Sequence, residues 1–150
     1  MVLAFIQNIS SSNHLMRNAS ELAVQLGKSF GVLSFVNSDA EIATLEAEIK
    51  ELTDRLSIVP DFLKVQKAGL KDMTDVCEAN EVSFLFLQLT ANGSKSIQTL
   101  LNACRELRIP YLLHKDNFEL FDLKKVIMPV NFLEEEVEKA QFASAFGRFC

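Results

Sequence analysis

A small polar turn, Asn92-Gly93-Ser94-Lys95-Ser96, closes an apolar run and opens a helical pattern, which is where binding chemistry is best placed in this chain. Helix N-termini offer unpaired N–H groups to anions, glycine lets backbone approach a phosphate closely, and serines add hydroxyls. Asn92, Gly93, Ser94 and Ser96 therefore form a candidate anion or nucleotide site, and Gln7 and Asn8, at the end of another apolar run, join it from a neighbouring strand. The plain alternative for the turn is an N-cap that only starts a helix.

Catalysis has less support. His14 and His114 have no carboxylate or nucleophile at a recognised spacing, so each reads as a solvated or packed histidine. H-E-x-x-H, G-x-S-x-G, G-x-G-x-x-G and G-x-x-x-x-G-K-[ST] are all absent, and Lys95-Ser96 lacks the spacing of a phosphate-binding loop. Glu134-Glu135-Glu136 stands at a helix start, where the helix dipole favours acidic residues without any metal. The 3 cysteines have no C-x-x-C spacing; Cys77 and Cys104 fall on apolar helix faces and read as core residues, while Cys150 reads as an exposed thiol. The expectation is a chain that is not an enzyme and holds no metal.

The elements that position these residues follow from periodicity. Val82 to Leu89 is an almost unbroken apolar run, the pattern of a strand buried on both faces of a parallel sheet. Val2 to Gln7 and Gly31 to Asn37 read the same way, and Pro60 to Gln66 alternates with period two, as a half-exposed edge strand does. Ile109 to His114 is a strand entered through proline. Between them, Met16, Ala19, Leu22, Ala23, Leu26 and Phe30 recur at helical spacing after cap candidates Ser10 to Asn13. Ile42, Leu45, Ile49, Leu52 and Leu56 mark a second helix, better explained by packing on a sheet than by a coiled coil. Leu70, Met73, Val76 and Cys77 mark a third, and Ile97, Leu100, Leu101, Cys104 and Leu107 a fourth. Strands alternating with helices predict an open, doubly wound α/β domain with a parallel sheet and helices on both faces, complete by about residue 117.

At 150 residues with 49% hydrophobic content the chain has the size and composition of one domain with a full core. A net charge of −5 with no basic stripe argues against a nucleic-acid partner. No apolar run approaches the length of a membrane span, and Met1 to Gln7 lacks a basic region and cleavage site, so a cytoplasmic location is expected. The N-x-[ST] triplets at Asn8, Asn18 and Asn92 are then irrelevant.

The stretch 118–150 repeats the beginning. Val126-Ile127-Met128-Pro129-Val130-Asn131 aligns with Val2 to Gln7, and a helix is expected from Glu134 to Arg148. A lone strand and helix leaves an apolar edge and the stripe Phe142, Phe146 and Phe149 uncovered. The piece either extends its own sheet or pairs with its counterpart in a two-fold homodimer; the dimer is favoured, with Val126, Met128, Val130, Phe142 and Phe146 as its contacts.

With its basic pair, apolar strand and acidic helix start, Lys124 to Phe132 followed by Glu134-Glu135-Glu136 and Ala140 resembles the opening strand and helix of the universal stress protein family. Ile109-Pro110-Tyr111-Leu112-Leu113 resembles its last strand. The likeness is to tandem members, with one full domain and part of a second. It implies sheet order 3-2-1-4-5, dimerisation near the final strand and, in one branch, ATP at the carboxyl edge. That branch has G-x-x-G and a loop before G-[ST]; here Gly93-Ser94-Lys95-Ser96 follows Leu89 almost directly, so the first glycine pair and the loop are missing. The aspartate that ends the family's first strand aligns with Gln7, and in the second copy with Asn131, both amides without its charge. The resemblance thus implies a non-enzymatic, homodimeric interaction or stress-response module with a degenerate nucleotide site and no cofactor. The alternative is an ATP- or AMP-binding stress sensor.

Overall fold

A computed structural model describes residues 1–90 and 94–115, with 94–96 described in their backbone alone, together with residues 141 and 144. The chain divides into two compact units, Met1–Glu119 and Leu120–Cys150. In the second, Gln141 and Ser144 are described; both are helical and lie within the range where the sequence places a helix. The expected strand at Val126 to Asn131 and the expected contacts Val126, Met128, Val130, Phe142 and Phe146 lie outside the described residues.

In the first unit the apolar runs become β1 (Val2–Ile6), β2 (Phe30–Val36), β3 (Phe62–Lys67), β4 (Phe84–Leu89) and β5 (Tyr111–Lys115), all paired in parallel in the order β3-β2-β1-β4-β5. Helices α1 (Asn13–Gln25), α2 (Ile42–Leu56), α3 (Met73–Ala79) and α4 (Ser94–Ala103) connect them. This is the expected fold class and strand order. β1 lies at the centre with every side chain buried, which is why its sequence is apolar without alternation. β3 is an edge: Val65 is buried while Lys64 and Lys67 face water, and such lysines discourage pairing with a foreign strand.

Alternate residues of the central strands serve opposite layers. Leu3, Phe5, Leu33, Leu85 and Leu87 pack with Met73, Val76 and Cys77 of α3, Leu100 of α4 and the following Cys104 in one buried cluster. The even positions of β1 and β4 face the other layer, where α1 packs on β1, β2 and β4. Helix ends explain the turns between layers. Gly27 takes φ 60° beyond α1, and Ser57 takes φ 56° beyond α2. Backbone N–H groups of Lys28 and Ile58 then reach Ala23 and Thr53 carbonyls at 2.9 Å, closing both helix ends in the same way.

Ser12, within the cap candidates Ser10 to Asn13, is the N-cap residue of α1, but its side chain makes no capping hydrogen bond and its hydroxyl donates instead to the Ile9 carbonyl at 2.8 Å. A 3-10 turn, Ile9–Ser11, comes first, and Asn8 caps it by accepting from the Ser10 N–H at 3.1 Å and the Ser10 hydroxyl at 2.8 Å. The side-chain cap thus stands at the strand end, on the 3-10 turn, where it fixes how the chain leaves the sheet. Among the described residues no helix is long and apolar enough to cross a membrane.

Candidate functional site

Strand order reverses between β1 and β4: β1 leads into α1 on one layer and β4 into α4 on the other. In open parallel sheets the crevice at the carboxyl ends of such a pair is where ligands enter. Gln7 and Asn8 follow β1 at this edge, and α4 opens just beyond β4 with Ser94 to Ser96 in its first turn. The other half of the expected site, Asn92 and Gly93 and the side chains of Ser94 and Ser96, lies outside the described residues.

The edge is organised by a residue that the sequence reading passed over. Gln88, fully buried in β4, points its carboxamide at the chain leaving β1. Its Oε1 accepts from the backbone N–H of Gln7 at 2.7 Å and of Asn8 at 2.8 Å. Its Nε2 donates to the Asn8 carbonyl at 2.8 Å and to Ser11 Oγ at 3.2 Å. In return, Gln7 Nε2 donates to the Gln88 carbonyl at 2.8 Å. A buried amide must satisfy both donor and acceptor capacity, and this one does so by stitching β4 to the β1 exit. The N–H groups of Gln7 and Asn8, which an anion at this edge would use, are already donated within the protein.

Gln88 belongs to a buried polar layer on the α1 side of the sheet. On β2, Ser34 donates its hydroxyl to the Ile6 carbonyl at 2.8 Å. On β5, His114 is paired in register with Gln88 and is 2% exposed. Asn18 of α1, also buried, approaches His114 with Nδ2 at 2.8 Å from Nε2. His114 is therefore packed and hydrogen-bonded, as one of the two expected readings had it, and half-buried His14 lies in the first turn of α1. A signal for Gln88 was present: a single polar residue inside an apolar run must find partners or cost about 1–3 kcal/mol.

Neither described cysteine is a nucleophile, and Cys150 lies outside the described residues. Burial pushes the Cys77 thiol up to about 12, with Cys104 and Glu78 adding to it, and burial pushes Cys104 up to about 11. Both stay protonated at neutral pH, and a thiol without its thiolate is a poor nucleophile. Among the described residues no group of 3 or more His, Cys, Asp and Glu is placed to hold a metal ion. A groove of about 460 Å³ lies at the opposite, amino ends of β2 and β3, with Val24, Lys28, Phe30, Val59 and Asp61 among its lining residues. Asp61 is committed there to the Phe30 N–H at 2.9 Å.

These features define an open, doubly wound α/β domain in which the Gln88 carboxamide of β4 ties down the chain leaving β1. No family model matches the sequence, and no curated protein matches it. Among solved structures, a universal stress protein in complex with cAMP matches at 13% identity and a TM-score of 0.54, covering 75% of this chain and 95% of that one. The chain thus shares the fold of that universal stress protein.

Proposed function

We propose that the protein is a universal stress protein-like interaction and stress-response module, non-enzymatic and homodimeric, whose nucleotide site is degenerate. The observation that carries this reading is the Gln88 carboxamide at the β1–β4 crevice, which consumes the Gln7 and Asn8 N–H groups that a ligand would need. A missing glycine loop and an amide in place of the strand-one carboxylate support it from the sequence. Calorimetric titration with Mg-ATP, AMP and cyclic AMP, after denaturation and chromatography to exclude carried nucleotide, is expected to give no heat. On that reading any Kd is weaker than about 1 mM, or about −4 kcal/mol of binding free energy. Micromolar binding would replace the proposal with its alternative, an adenine-nucleotide sensor, which is favoured by one observation: the solved structure of like fold holds cAMP.

Dimerisation rests on the apolar sequence pattern of 118–150, where Phe142, Phe146 and Phe149 recur at a spacing expected to give an apolar stripe that one strand and helix would not cover alone. Phe146→Asp places a charge on that stripe and is expected to raise the dimer dissociation constant at least tenfold in sedimentation equilibrium. An unchanged dimer, or a monomeric parent protein, would remove this part of the proposal.

A further inference from the structure

We propose that Gln88 is a built-in ligand: its carboxamide occupies a cradle whose fitting guest, once the side chain is gone, is a small primary amide. The inference deepens the closed-edge reading above and rests on it. The cradle presents two successive N–H donors, those of Gln7 and Asn8, to one oxygen, and the Asn8 carbonyl and Ser11 Oγ to one nitrogen. That is the full hydrogen-bonding complement of a carboxamide along one edge, and it excludes a carboxylate, which has no hydrogen to give the Asn8 carbonyl. The side chain in the cradle is completely enclosed, so its removal leaves a polar cavity of its own shape. Opening the edge to any ligand then requires Gln88 to leave, which frees the β1 exit and the 3-10 turn that Asn8 caps. The device is an autoinhibitory contact, with the occupant supplied by the neighbouring strand.

Gln88→Ala deletes the atoms of acetamide, and Gln88→Ser those of formamide beyond its own Oγ. Titration of acetamide into Gln88→Ala, and of formamide into Gln88→Ser, is expected to shift the Gln7 and Asn8 amide resonances saturably. Half-saturation should fall on the order of 10 mM, as so few atoms allow. The unaltered protein, and N,N-dimethylacetamide in either variant, should give only a linear solvent drift. In the unaltered protein the Gln7 and Asn8 N–H groups should exchange with solvent as slowly as those of β1, a measurement that needs no variant. Linear drift in both folded variants, saturation in the unaltered protein, or exchange of those two groups at loop rates would each overturn the inference. Nucleotide binding by the unaltered protein would instead overturn the closed-edge reading on which it rests.

Discussion

Truncating Phe86 to alanine is expected to destabilise the first unit by about 3–5 kcal/mol, the upper range for large-to-small core changes. Phe86 is fully buried in β4, between Ala4 of β1 and Leu112 of β5 in register, on the sheet face that α1 covers. Its ring lies 5.4 Å from that of Phe84. The neighbouring Ala4 is too small to fill the space, and the hydrogen-bonded strands on either side cannot close around it, so most of the cavity persists. In urea unfolding the midpoint should fall by more than about 1 M with m unchanged, given m values of about 1–3 kcal/mol/M. Val24→Ala is the matched comparison: Val24 is 81% exposed, and its truncation should change stability by no more than about 0.5 kcal/mol. A loss below about 1 kcal/mol for Phe86→Ala would mean that α1 does not seal this face.

The fold was legible because the strands carry their burial in their composition. β1 and β4 are apolar at nearly every position because both faces are covered, and β3 alternates because it is an edge. Where the reading drifted, local hydrogen bonding decided. The fourth strand starts at Phe84 rather than Val82, because the Val82 N–H is spent on the Cys77 carbonyl at the end of α3, and Glu81 takes φ 49° to make that turn. Gly31, expected to open the second strand, lies inside β2, which starts one residue earlier at Phe30. A Cβ there would stand 2.7 Å from Met1 Sδ and 3.2 Å from Phe62 Cδ1, so glycine serves close packing rather than a turn.

Gln7 and Asn8 were singled out for standing at a strand end, and they do follow β1 at its carboxyl end. What a linear reading could not supply is the direction of their N–H groups, which depends on how β1 and β4 come into register across some eighty positions of sequence. Gln88 and Ser34 look incidental as polar residues in apolar strands, and Asn18 as one polar residue among others of an amphipathic helix. Only the assembled sheet and α1 place them on one face, where they share the burial that makes their hydrogen bonds consequential.

Replacing Gln88 with leucine should be nearly as costly as the Phe86 truncation, at about 3–5 kcal/mol, although it removes no apolar contact. Leucine fills much of the same volume but accepts and donates nothing. The Gln7 and Asn8 N–H groups and the Asn8 carbonyl then lose partners at 2.7–2.8 Å. Each such loss costs about 1–3 kcal/mol where water cannot enter. Gln7→Ala tests the same edge from outside: Gln7 is exposed, its side chain gives one hydrogen bond to the Gln88 carbonyl, and its removal should cost no more than about 1 kcal/mol. The two variants therefore separate a sealed edge from a wet one. If Gln88→Leu cost as little as Gln7→Ala, water would be replacing the carboxamide, the crevice would be open to solvent, and a ligand could compete for the same N–H groups. If the costs differ by the expected 2 kcal/mol or more, about thirtyfold in the unfolding equilibrium, strand β4 itself holds the crevice shut.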